Sequence, residues 1–181
     1  MTTRPVRRMG SCVLAAGALA VSAMFAQASD AATLVDASCP QRGTISFNPG
    51  LGLVPKPTQA TVNGTLTSCV SDAVAGGTVT GAGSGALGCA TGSVAGTLEF
   101  SWVTRSGAGA GSTVAVRSTQ TAGSTGLTLT GTVTSGLFAG DDYILAFVVN
   151  PLQLLQCVSA QGLRAVSVSA AGVFSRPLLN P

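Results

Sequence analysis

The sequence predicts an all-β protein, a two-sheet antiparallel β-sandwich of immunoglobulin-like type with about eight strands. Three observations lead there. Segment after segment alternates apolar with polar residues at a period of two, as half-buried strands do. Turn residues break these segments every dozen or so positions, and no stretch carries a helical period. Val, Thr and Gly are plentiful while the helix formers Glu and Lys are nearly absent. A closed barrel is the alternative arrangement of the same strands.

Residues 1–28 read as a signal peptide. Arg4, Arg7 and Arg8 form a charged start, Val13 to Phe25 an apolar core, and Ala26-Gln27-Ala28 an A-x-A cleavage site. The apolar run falls short of the ~20 residues a spanning helix needs. Arg7-Arg8 suggests the twin-arginine route, but no strongly apolar stretch follows directly. Cys12 precedes the apolar core, unlike a lipoprotein cysteine. Residues 29–181 are therefore expected as a single secreted β-sandwich domain with no integral membrane span.

Within that domain, Thr44 to Asn48 alternates, with Ile45 and Phe47 on one face, and Pro55-Lys56-Pro57 makes a stiff connection. Gln59 to Ser68 places Ala60, Val62 and Leu66 opposite Thr61, Asn63, Thr65 and Thr67. Val70 to Ala90 reads as glycine-rich turn material with a short strand at Thr78-Val79-Thr80. Val94 to Thr104 puts Val94, Leu98, Phe100 and Trp102 on one face, GAGAG at 107–111 breaks the pattern, and Val114 and Val116 mark another strand. The central hairpin follows. Leu127, Leu129 and Val133 oppose Thr128, Thr130, Thr132 and Thr134, and after a Gly-and-Asp turn Tyr143 to Val149 is apolar throughout, as in a strand covered on both faces. Pro151 to Gln156 is a loop or a single helical turn. Arg164 to Phe174 closes the domain with Val166, Val168 and Ala170 inward and Ser167 and Ser169 outward.

Charge excludes several function classes. The chain has nine basic and six acidic residues, and three of the basic ones lie in the signal, so the remainder is formally neutral. That leaves no basic patch for nucleic acid. Four cysteines follow the signal: Cys39, Cys69, Cys89 and Cys157. An even number in a secreted chain implies two disulfides, with three pairings open. There is no His and no C-x-x-C pair, so neither a metal site nor a cofactor is expected.

Catalytic candidates are few. General-base work at neutral pH usually falls to His, which is absent. Lys56 sits between two prolines, Glu99 should face solvent opposite Phe100 and Trp102, and Asp141-Asp142 occupies the hairpin turn. One adjacent acidic pair supplies too few oxygens for calcium. Gly83 to Gly88 matches G-x-G-x-x-G but runs into Cys89 with no helix after it, so it is not a dinucleotide site. Trp102 is the single candidate platform for a sugar ring, although its same-face neighbours assign it to the core. The Thr rows belong to the wet face of a sheet.

Cys39 before GTISFNPGL, the GTLTSC strand ending at Cys69, the Gly-rich run to Cys89, TGTVTSGLFAGD and NPLQLLQC together resemble the small secreted β-sandwich proteins of actinomycetes, streptomycete type, which carry no assigned activity. Chain order and this resemblance favour the pairings Cys39–Cys69 and Cys89–Cys157. The enediyne-chromophore apoproteins are an architectural analogy only, because their bridges close short loops. The expectation is a non-enzymatic, secreted binding, adhesion or envelope-associated module, extracellular or cell-wall associated, with a cell-wall or protein partner. The alternative is a carrier of a small hydrophobic ligand, which requires a concave apolar pocket, or a protease inhibitor, which requires a rigid exposed loop such as Leu152 to Gln156. A hydrolase would need Asp141, Asp142 or Glu99 to converge in a cleft.

Overall fold

The computed structural model describes residues 33–120 and 126–177. The expected signal peptide, residues 1–28, lies outside the described residues. Eight strands follow in order: β1 (Thr33–Leu51), β2 (Lys56–Leu66), β3 (Val74–Leu87), β4 (Gly92–Thr104), β5 (Gly109–Gln120), β6 (Gly126–Gly136), β7 (Asp142–Val148) and β8 (Leu163–Pro177). A short α-helix α1 (Pro151–Leu154) and a 3-10 turn (Leu155–Val158) interrupt the last connection.

Every strand pairs antiparallel with its neighbours in sequence, and β8 pairs with β1, so the sheet closes into an up-and-down barrel. The expected immunoglobulin-like sandwich is therefore corrected to a barrel. The physical reason is that a strand with one dry and one wet face serves either architecture equally. Strand pairing decides between them, and here no strand leaves its place to cross to a second sheet.

Three local expectations also change. The glycine-rich stretch expected as turn is a full strand, β3, and residues 109–111 of the GAGAG run open β5. The β7 strand is not covered on both faces: Tyr143, Leu145 and Phe147 point inward and are buried, whereas Ile144, Ala146 and Val148 are exposed. A closed single-layer wall leaves nothing to cover its outer side.

The inner face is apolar and the outer face is rich in Ser and Thr. Along β6, Leu129 and Val133 are buried while Thr128, Thr130, Thr132 and Thr134 face solvent. On β8, Val166 and Val168 are buried between outward Ser167 and Ser169. This alternation is the reverse of a lipid-spanning barrel, whose outer band is apolar. Among the described residues no helix is long and apolar enough to cross a membrane.

Candidate functional site: an apolar cavity under a disulfide-tied lid

The two ends of the barrel are built differently. One end holds an aromatic plug. Phe100 and Trp102 of β4 stack at 5.1 Å, and the Phe174 ring of β8 lies 5.3 Å from each. Tyr143 sits 4.9 Å from Phe174. The β6–β7 turn folds Phe138 back into this cluster, at the cost of a left-handed backbone at φ 66°. Trp102 is thus core, and its indole N–H donates to Ser112 Oγ at 2.8 Å. The Cys39–Cys69 disulfide fastens the β2–β3 connection to β1 at this end.

A polar cluster missed from sequence lies beside the plug. Asp141 is fully buried, and Arg176 on β8 reaches both acids, with Nε 3.4 Å from Asp141 Oδ1 and Nη2 3.1 Å from Asp36 Oδ2. Burial, reinforced by the neighbouring Asp36 carboxyl, raises the Asp141 pKa above the usual carboxylate value, and Arg176 offsets part of that rise. Its Oδ2 has no hydrogen-bond partner. No sequence signal could have joined Asp36 to Arg176, because their meeting depends on closure between β1 and β8.

The adjacent acids do not act together: Asp141 is buried and Asp142 is exposed. Glu99 lies on the outer wall of β4, where it accepts a hydrogen bond from Thr113 Oγ1 at 2.9 Å. The candidate carboxylates thus form no shared cleft. No cluster of three potential metal-ligating side chains occurs among the described residues. Gly83 to Leu87 runs along β3, and the next element is the strand β4.

The opposite half of the barrel contains a cavity of about 110 Å³. Its walls are mostly aliphatic, including Ile45, Ala60, Val62, Val116, Leu129 and Val166. Inward glycines leave this space open: Gly83 pairs with Gly96, and both line the cavity together with Gly43, so these positions carry no side chain. At its inner limit is buried Gln41, whose Oε1 accepts a hydrogen bond from the Tyr143 hydroxyl at 3.1 Å. Ser118 also borders the space, but its hydroxyl donates to Thr128 O at 2.7 Å.

A lid covers this half. The β7–β8 connection starts at Asn150, whose side chain caps α1 by accepting from Leu152 N at 2.9 Å. Leu154 turns inward and lines the cavity. Cys157 bonds to Cys89 in the β3–β4 connection. Those two connections stand four strands apart in an eight-stranded ring, so the tie runs across the barrel. Cys89 N also donates to Gly52 O at 2.9 Å, which draws the β1–β2 connection into the same assembly. Residues Leu152 to Gln156 are therefore helical and strapped down, and lack the extended backbone that an inhibitory loop presents to a protease.

Fold and site together define an eight-stranded up-and-down barrel with an outer face rich in Ser and Thr and an internal apolar compartment. Compared with known proteins, the chain matches no family model, no curated protein and no solved structure.

Proposed function

We propose that this protein is a secreted, non-catalytic carrier that encloses a small apolar molecule, or the apolar end of one, inside its barrel. The observation that carries this reading is the aliphatic cavity of about 110 Å³. Eight-stranded barrels are wide enough either to be filled by side chains or to hold one small ligand, and the inward glycines here favour the second. The size restricts the cargo. A protein cavity of about 150 Å³ lined by aliphatic side chains stays dry and takes up benzene. This one suits a single small ring or a short branched hydrocarbon, and is well below the ~300 Å³ of a drug-sized pocket.

The lack of His, the separation of Glu99 from the buried Asp141 and a mostly aliphatic cavity wall, whose one charged residue, Arg117, is exposed, support a binding role over turnover. The two disulfides suit an extracellular protein, which supports export. The test is titration with benzene and with short-chain alcohols, followed by methyl NMR and thermal unfolding. A ligand at a hundred times its Kd should add about 2.7 kcal/mol, raising Tm by about 5–11 °C. Shifts should centre on Ala60, Val62 and Val116. Absence of any shift at those methyl groups across the ligand series would refute the carrier reading.

A further inference from the structure

The lidded end presents an apolar crown. Leu152, Leu155 and Val158 on the lid, Leu53 and Val54 on the β1–β2 connection and Val148 at the end of β7 are each between 63% and 76% exposed. Leu152 and Leu155 stand three apart and so share one helical face. The crown is one assembly, because Cys89 is bonded to Cys157 in the lid and hydrogen-bonded to Gly52 beside Leu53. Scattered exposed aliphatics are ordinary, but a cluster gathered over the roof of an apolar cavity is a contact surface.

Charge is distributed unevenly along the barrel. Lys56 begins β2 and Arg164 follows the first residue of β8, so both stand exposed at the lidded end. Neither has an ion-pair partner among the described residues. The described carboxylates lie elsewhere: Asp36, Asp72, Asp141 and Asp142 at the plugged end, and Glu99 along the wall. The neutral total thus hides an end that carries cations and aliphatic groups with no described acid.

We propose that the lidded end docks on an anionic phospholipid surface, with Leu152, Leu155, Val158, Leu53 and Val54 in the headgroup–acyl boundary and Lys56 and Arg164 on the lipid phosphates. Aliphatic groups flanked by Lys and Arg are the chemistry of interfacial membrane binding. The crown contains no Trp or Tyr, the residues that anchor protein–protein hot spots. A lipid surface also explains why crown and cavity share one end, because a water-insoluble cargo must be collected from a phase that dissolves it. That explanation rests on the carrier reading; the docking itself does not.

The test is co-sedimentation of the purified protein with vesicles of phosphatidylcholine alone and of phosphatidylcholine with phosphatidylglycerol. Binding is expected to the second, to weaken in about 1 M salt, where screening acts within about 3 Å, and to fall about fivefold for each of Lys56→Gln and Arg164→Gln. The double variant Leu152→Asp, Leu155→Asp should lose at least about tenfold in vesicle affinity while still binding benzene, because both side chains face away from the cavity. Failure to bind anionic vesicles, or undiminished binding by the Leu152/Leu155 variant, overturns the proposal. So does self-association that the same variant abolishes in the absence of vesicles, which would assign the crown to a second copy. Vesicle binding without any ligand uptake would sink the carrier reading and leave the docking intact.

Discussion

Ala60→Leu offers a test in which the sign of the effect decides. Ala60 points inward between Phe47 and Gly83 in register, and the next inward position across the sheet is Gly96, so a longer side chain there extends over two glycines. In a filled core, extra carbon atoms force strain and cost about 1–3 kcal/mol. In a void of about 110 Å³ they replace empty space. At about 24 cal/mol per Å³, filling all of it would stabilise by about 2.6 kcal/mol. Three added carbons at about 0.8 kcal/mol each give about 2.4 kcal/mol. Incomplete fit leaves a gain of about 1–2 kcal/mol, seen as a Tm higher by about 2–8 °C. Urea unfolding monitored by Trp102, the single tryptophan, measures the change, and benzene titration should show binding abolished. A destabilised Ala60→Leu protein that still binds ligand would show that the space lies elsewhere, and the functional reading would fall with it.

Further predictions concern the parts that hold the compartment together. Tyr143 is the single tyrosine in the chain, and burial pushes its pKa well above the ordinary value of about 10. Its phenol should stay protonated while the protein is folded, so the fold is increasingly disfavoured as pH rises past about 10, and tyrosinate absorbance should appear only together with the loss of the folded Trp102 signal. Tyrosinate forming near pH 10 in intact protein would contradict the burial. Asp141 has a raised pKa, so its contribution favours the fold below the ordinary carboxyl range and fades as pH rises through the raised value. Asp141→Asn should remove that slope from denaturation curves taken across the acid range, and an unchanged slope would refute the assignment. Replacing Cys89 and Cys157 by Ser opens a loop of sequence separation 68 and should lower stability by about 4 kcal/mol on the chain-entropy account. Unchanged unfolding in urea would argue that the lid contributes no constraint.

Much of the wall was legible because a strand's alternation is a local property. The Thr rows of β6, the Val166–Ser167–Val168–Ser169 pattern of β8 and the inward Phe100–Trp102 pair all fall where period-two reading puts them. Closure was not legible, since it is set by which strands find each other, and a wall strand and a sandwich strand share one pattern. The β7 error has the same root. Seven apolar residues suggested two covered faces, yet Ile144 and Val148 simply remain in water. The cavity did leave a trace in sequence: Gly81, Gly83 and Gly85 alternate with Ala82 and Ser84, a period of two with glycine on one face. Glycine's association with turns obscured it. The polar cluster left none, because Asp36, Asp141 and Arg176 meet only once the ring is closed.

The position of the void follows from which side chains each strand turns inward at each level. Strand β4 carries Trp102 and Phe100 at the plugged end, then Leu98 and Gly96 at cavity level. Strand β3 offers Val79 next to Phe100, then Gly81, Gly83 and Gly85 beyond it. Residue volume therefore falls from the plug to the Gly83–Gly96 level on adjacent strands, before Leu87 and Val94 follow toward the lid. The glycines are held by backbone as well as by space: a Cβ on Gly96 would lie 2.3 Å from Ala82 O, and one on Gly83 would lie 2.9 Å from Ala95 O. Side chains cannot be added there without moving the wall, so the empty level is built into the sheet's own close approach. At the same level Ala60 and Val62 stand where a larger residue would fit, and they carry small side chains instead. A wall that cannot fill the space at its glycines, and does not fill it at its other positions, leaves a void that is a property of the sheet itself, and the proposed carrier role rests on that void.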